Sequence, residues 1–390
     1  MAILNSWQRI DRVLNGLPFG DSANGAYSSG TIPSLTYRSC SGTATSSTLT
    51  IASGGYSNGD VIAIFQMRGT GVGQWEINRV SSGGGTTSLT LQTPLKYTYT
   101  DSGASQAQCV NVPRYSTVNM SSGTWTVPDW NGDTGGVFVF AAKVWTPNGT
   151  ISGSATGYRG GAAVGLDVDG KQGEGTVAAG GTISTAANGT GGGGGDSGSG
   201  APNPGPGAGG GGGGHAASGT KGTNGSTGKV GGAGGTTGGS ADLTNIILGG
   251  AGGSGGGDDN YVGDSGKGGD SGPIVIAFVD LVQEITGGVI VSGQNGNNAV
   301  AAGAGGGGGG SGGSFLLACR NATLGTNKIV SLGGVGGTAR DGGGTGGTAS
   351  VGRIAIHHSG AVTGTTNPTF TDVTDTTLIE TGGAFLFNLI

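Results

Sequence analysis

The chain has 390 residues, of which 96 are glycine, 11 are proline and 10% are charged, with a formal net charge of −5. Average proteins hold glycine near ~7% and charged residues near ~25%, and glycine is the poorest helix former after proline, so an ordinary helical or α/β enzyme is excluded. Collagen is excluded because proline is too scarce, and charge-driven disorder or a basic nucleic-acid surface because the net charge is small and negative.

Residues 1–30 read as an N-terminal helix and attachment segment. Ile3, Leu4, Trp7, Ile10 and Leu14 recur at three- and four-residue spacing. Gly16 and Pro18 supply a stop. An apolar stripe at a terminus needs a partner surface, so Leu4, Trp7, Ile10 and Leu14 are candidate attachment or oligomerisation residues. The first ten residues lack a signal-peptide pattern. No stretch reaches the ~18 apolar residues of a membrane-spanning helix.

Residues 31–130 read as a small β-barrel or sandwich. Val61–Phe65 is long enough for one strand, Trp75–Val80 alternates as a half-buried strand does, and Ser88–Leu91 alternates again. Short strands with glycine-rich turns at about ten-residue spacing suggest a small closed or layered β domain. Cys40, Cys109 and Cys319 are odd in number and far apart. They read as buried free thiols, with a Cys40–Cys109 pair left open.

Residues 131–365 carry an irregular repeat. An apolar strand is followed 14 to 16 residues later by a second (137 to 151, 274 to 290, 315 to 329), and then by a glycine run. Such units cannot bury an apolar face alone and must stack. The expected fold is therefore mainly β: a short N-terminal helix, a small barrel or sandwich, and a solenoid-like β-repeat body carrying a polyglycine II bundle. The bundle is expected because glycines recur every third residue over 219–234 and 263–272. Three residues per turn is the period of the extended left-handed helix, which has no internal hydrogen bonds. A flexible glycine linker is the competing reading. Residues 366–390 read as a strand tail, with Phe385 and Phe387 as candidate oligomerisation residues.

Little in the sequence suggests catalysis. Asp167, Asp169 and Glu174 could offer oxygen ligands to Ca²⁺, but no EF-hand pattern is present, and a solvated loop is the simpler reading. Adjacent His357 and His358 point to opposite faces of a strand, and His215 lies inside a glycine run. Asp280 with Glu284 is a carboxylate pair of the kind a glycosidase needs, but nothing singles it out. No enzyme activity, cofactor or resident metal is expected. Recognition is expected in turns, because glycine segments present almost no side chains. The candidate binding residues are Tyr158, Arg159, Asn203, Asp258, Asp259, Tyr261, Arg340 and Asp341.

The runs Gly191–Gly195, Gly209–Gly214 and Gly305–Gly310, separated by short variable turns, resemble the tips of long tail fibres of T-even-like phages. The resemblance covers about residues 157–350 and is compositional. It implies a virion protein that binds a host-surface glycan or outer-membrane protein through its turns, with other fibre subunits and further copies of itself as partners and no nucleic acid. The segment Pro147-Asn-Gly-Thr-Ile-Ser-Gly153 is also similar to glycine-rich bacterial surface proteins, which implies a secreted or cell-surface matrix subunit joined through strand edges.

Overall fold

The computed structural model describes residues 19, 21–198, 205–225, 228–259, 264–376 and 378. The helix expected over residues 3–15 lies outside them, as do Leu4, Trp7, Ile10, Leu14, Asn203, Tyr261, Phe385 and Phe387. The described residues contain no α-helix. None of their segments is a helix long and apolar enough to cross a membrane.

A closed six-stranded antiparallel barrel is built from β2 (Tyr37–Ser41), β3 (Thr48–Ile51), β4 (Val61–Arg68), β5 (Trp75–Ser82), β6 (Ser88–Leu91) and β7 (Gln106–Asn111) in the order β2-β3-β6-β5-β4-β7. Side chains alternate between the two faces of a strand, yet every residue of β4 is buried. Its two faces serve two cores. Ile62 and Ile64 fill the barrel with Leu49, Val80, Leu89, Cys40 and Cys109. Val61, Ala63, Phe65 and Met67 face outward onto a second sheet. All three cysteines are free and buried, and burial pushes the Cys319 thiol up to about 12.

That second sheet has eleven strands: β1 (Ala26–Ser28), β8 (Arg114–Met120), β9 (Thr124–Thr126), β10 (Val137–Pro147), β11 (Thr150–Ser152), β12 (Ile274–Val282), β13 (Gly288–Ile290), β14 (Ser314–Val330), β15 (Arg353–His358), β16 (Val362–Asn367) and β17 (Thr371–Thr374). All of its pairings are parallel. Val137 aligns with Ile274, Ile274 with Ser314, and Ser314 with Arg353. Parallel sheets are buried on both faces and read as continuous apolar runs, as in Val137–Ala142 and Ile274–Val279. One face takes Val137, Val139, Ile274, Ile276, Phe278 and Leu316 against the barrel. The other takes Phe138, Phe140, Trp145, Val275, Phe315 and Ile354 into the curl of the sheet, where Trp125, Ile151, Val289 and Ile329 close over them.

The solenoid expectation is therefore corrected. The units do pair side by side, but they form one open, curled half-barrel sheet and the chain does not wind a continuous coil. The reason lies in the return path. Between β12–β13 and β14, and again between β14 and β15, the chain leaves the sheet through a glycine segment, reverses, and comes back through another.

These extended segments form an array with its own logic. Successive amides of one segment turn to different neighbours and come back to the first after three residues. Gly209 and Gly212 donate to the carbonyls of Thr223 and Thr220. Gly210 and Gly213 donate to Gly306 and Gly309, and Gly211 and Gly214 to Gly193 and Thr190. The carbonyls of the same six residues accept from Gly232, Gly347, Gly253, Gly235, Ser350 and Gly250. Segment 206–214 is thus ringed by 190–198, 219–225, 231–236, 247–257, 304–313 and 344–352. A residue facing a neighbour in every direction has no space for a side chain, so residues 207–214 are all buried, and seven of the eight are glycine, the other being Ala208. Outer segments touch neighbours on one side only. There, Ser331, Gly334 and Gly337 are buried while Leu332, Val335 and Thr338 are exposed. Uninterrupted glycine runs mark inner positions, and every-third glycines mark the rim.

Candidate functional site: the turn end of the array

Three of the glycine segments run from the far end of the array into the sheet. Segment 265–273 leads into β12, 304–313 into β14 and 344–352 into β15. An extended chain rises roughly 3.1 Å per residue, so nine such residues carry the turns about 28 Å from the strands.

Residues 165–168, 300–303 and 340–342 gather at that far end, whereas the turns at 215–217 and 241–245 lie beside the sheet, where the Ala216 amide donates to Val351 and His357 Nε2 meets the Asp242 carbonyl. The Asp167 amide donates to the carbonyl of Asp258 at 2.9 Å, and Val300 donates to Asp264 at 3.0 Å. The Arg340 guanidinium donates to the Val300 carbonyl at 2.9 Å. Gly303 donates to Arg340 at 2.9 Å, and Asp196 to Val230 at 3.0 Å. Gly303 has φ +70, and a Cβ there would lie 1.4 Å from Asp258 Oδ2, so only glycine fits against that carboxylate.

The sequence-expected binding residues divide. Arg340 and Asp341 stand at this end with side chains 61% and 66% exposed, 3.6 Å from each other. Asp259 is half-buried, while Asp258 is buried beneath the turn. Tyr158 is corrected: it is fully buried against Trp130, and its hydroxyl donates to the Met67 carbonyl of the barrel. It is far too apolar to stay in an open turn, and the barrel surface supplies both its pocket and its acceptor. Arg159 is half-exposed but committed, its Nε 3.1 Å from Glu174 Oε2.

Sequence reasoning missed the apolar residues of this end. Leu166, Val168, Val230 and Val300 are exposed, Val300 by 65%. The available signal was a bulky aliphatic residue inside a turn between glycine segments, where solubility alone calls for polar residues. Around them stand Asp167, Asp264 and Asp341, also exposed. The far end thus exposes aliphatic side chains together with mainly acidic ones.

The other chemistry-bearing groups are occupied in holding the fold. Glu174 bonds both Arg68 and Arg159, so it does not join Asp167 and Asp169. Asp169 accepts from the Ser197 amide at 2.6 Å. Among the described residues no cluster of three His, Cys, Asp or Glu could hold a metal ion. His215 Nδ1 lies 2.7 Å from the Gly312 carbonyl, and full burial pushes its pKa down to about 4. His357 Nε2 lies 2.7 Å from the Asp242 carbonyl. Asp280 is gripped by Arg320 through two bonds of 2.7 and 2.8 Å.

No known protein-family model matches the sequence, and no curated protein is a detectable relative of it.

Proposed function

We propose that the chain is a non-enzymatic adhesive display protein of the kind found at phage tail-fibre tips. Its far turn end meets a host-surface glycan or outer-membrane protein, and its other end joins it to further fibre subunits, in copies of this chain or others. The particle is extracellular and assembled in a host cytoplasm. The observation that carries this reading is the cluster of exposed aliphatic and charged side chains at the far end of a side-chain-poor, backbone-bonded body. Recognition loops on a rigid scaffold lose little entropy on binding. Aliphatic side chains held out at 36–65% exposure suit a partner surface better than solvent.

Retention of the fluorescently labelled chain on a panel of intact bacterial cells tests the proposal. A tip variant combining Val300→Ser, Arg340→Ala and Asp341→Ala should be retained at least tenfold less than the parent. Val335→Ala, on the side of the array, should be retained like the parent. Equal retention of the tip variant, or no retention of the parent by any cell surface, contradicts the proposal.

A further inference from the structure

The barrel carries a second surface of distinct chemistry. On β3 the buried residues Leu49 and Ile51 alternate with exposed Thr48 and Thr50. On β6 Leu89 and Leu91 alternate with exposed Ser88 and Thr90. The register sets Thr48 beside Thr90 and Thr50 beside Ser88, and on the other side Thr50 faces Ser41 of β2. Three neighbouring strands thus present hydroxyls outward, with no charged side chain among these positions.

This face runs into an open groove of about 470 Å³, whose far wall is the segment Thr98–Ser102 with Asp101. A second groove of about 400 Å³ lies across the same segment and shares Thr98 and Thr100 with the first. It is lined by Gln74 and by the half-buried Tyr97, over whose ring Lys96 sits at 4.8 Å from the centroid. Thr43, Thr48, Thr50 and Thr100 all line the first groove, which thus presents a row of hydroxyls.

We infer that this groove is a neutral-oligosaccharide site, separate from the turn end and on a different part of the chain. A hydroxyl both donates and accepts, and so does each hydroxyl of a sugar, so the two surfaces pair without an ionic partner. The first groove is lined by no cation for a phosphate or sulfate and by no aliphatic side chain larger than threonine. Asp101 supplies a directional group in the first groove, and across the shared Thr98 and Thr100 the second groove adds Gln74 and a Tyr97 ring on which Lys96 is already seated.

The test uses the full chain and three neutral probes: maltohexaose, cellohexaose and chitohexaose, titrated calorimetrically. At least one should bind the parent. Thr48→Val with Thr50→Val keeps side-chain shape and β preference, so the barrel should keep its Tm while binding weakens at least tenfold. The tip variant should bind the same sugar like the parent. Absence of binding by all three probes, or equal binding by the double-valine variant, overturns the inference. Either result leaves the cell-retention experiment on the turn end to be decided independently.

Discussion

Gly211→Ala should lower the stability of the whole chain by about 3 kcal/mol or more, the upper range for overpacking a filled interior. A Cβ on Gly211 would lie 2.0 Å from the Ala233 carbonyl oxygen. In a side-chain core the neighbour could change rotamer. Here the obstacle is backbone, and that backbone is itself bonded, since the Ala233 amide donates to Thr185 at 2.7 Å. Gly211 also donates to Gly193 at 2.8 Å and accepts from Gly253 at 2.9 Å. Any shift that relieves the clash therefore stretches bonds on several sides. Gly165 is the matched control. It has open space around a Cβ and no positive φ, so Gly165→Ala should be neutral or stabilising by about 0.4–1 kcal/mol through the unfolded chain. Denaturant midpoints of the two variants check the contrast. Similar midpoints would show that the inner glycines are not in contact as described.

Glu174→Ala should cost about 3–5 kcal/mol, the usual loss when one partner of a buried ion pair is removed. Glu174 and Arg68 are 1% and 4% exposed. Arg68 comes from β4 of the barrel and Glu174 from the glycine array, so the pair joins the two bodies. Nearby, Tyr158 donates to Met67, Gly69 donates to Thr176 at 2.9 Å, and Trp75 Nε1 donates to the Leu243 carbonyl at 3.2 Å. Without the carboxylate, the Arg68 guanidinium keeps only its 3.0 Å bond to Ala104 and remains buried and charged. Arg159→Ala should cost less than about 1 kcal/mol, because that side chain is half in water. Thermal unfolding followed by limited proteolysis checks both variants. In Glu174→Ala the barrel and the array should become separable below the temperature at which either melts. Equal costs for the two substitutions would contradict this account of the junction.

Much of the β content was legible because apolar runs such as Val137–Ala142 and Ile274–Val279 can be nothing else at that length. The barrel strands were legible from the alternation in Ser88–Leu91. What β5 showed was less readable: Trp75–Val80 alternates like a half-buried strand, yet Glu76 and Asn78 are buried too. Glu76 meets the Lys96 amide at 2.9 Å and Asn78 the Thr93 carbonyl at 2.9 Å, contacts that no local pattern announces.

The solenoid reading failed for a similar reason. Offsets of 14 to 16 residues lie within a unit and say nothing about how the chain returns. The interval of 40 between units was the better signal. It relates Ile274 to Ser314, and it also relates the acceptors Ser292, Asn295 and Asn298 to the amides of Leu332, Val335 and Thr338, at 3.0, 3.0 and 2.8 Å. At the equivalent positions of the later unit, Leu332 and Val335 offer no acceptor and Thr338 only a short hydroxyl. The rim stops there for a reason visible in the sequence. At the turn end, Arg340 and Asp341 were readable as charged residues between glycines. Val300 and Leu166 were not, because an aliphatic residue next to glycine reads by default as core. Tyr158 was misplaced because its pocket is made by the barrel, distant in sequence.

The central claim is that glycine builds an ordered, backbone-bonded body. Ordering glycine costs about 1–2 kcal/mol per residue in backbone entropy, and each hydrogen bond returns only ~1 kcal/mol net, so the array can stand only if nearly every inner amide is bonded. Amide hydrogen exchange of the intact chain, resolved to peptides covering residues 207–214, 249–257 and 304–313, tests this directly. The expected result is protection comparable to that of β12 and β14, with the rim positions Leu332 and Val335 also slowed by their side-chain acceptors. Exchange of the inner glycine amides at the rate of an unstructured chain, while the strands stay protected, would contradict the account.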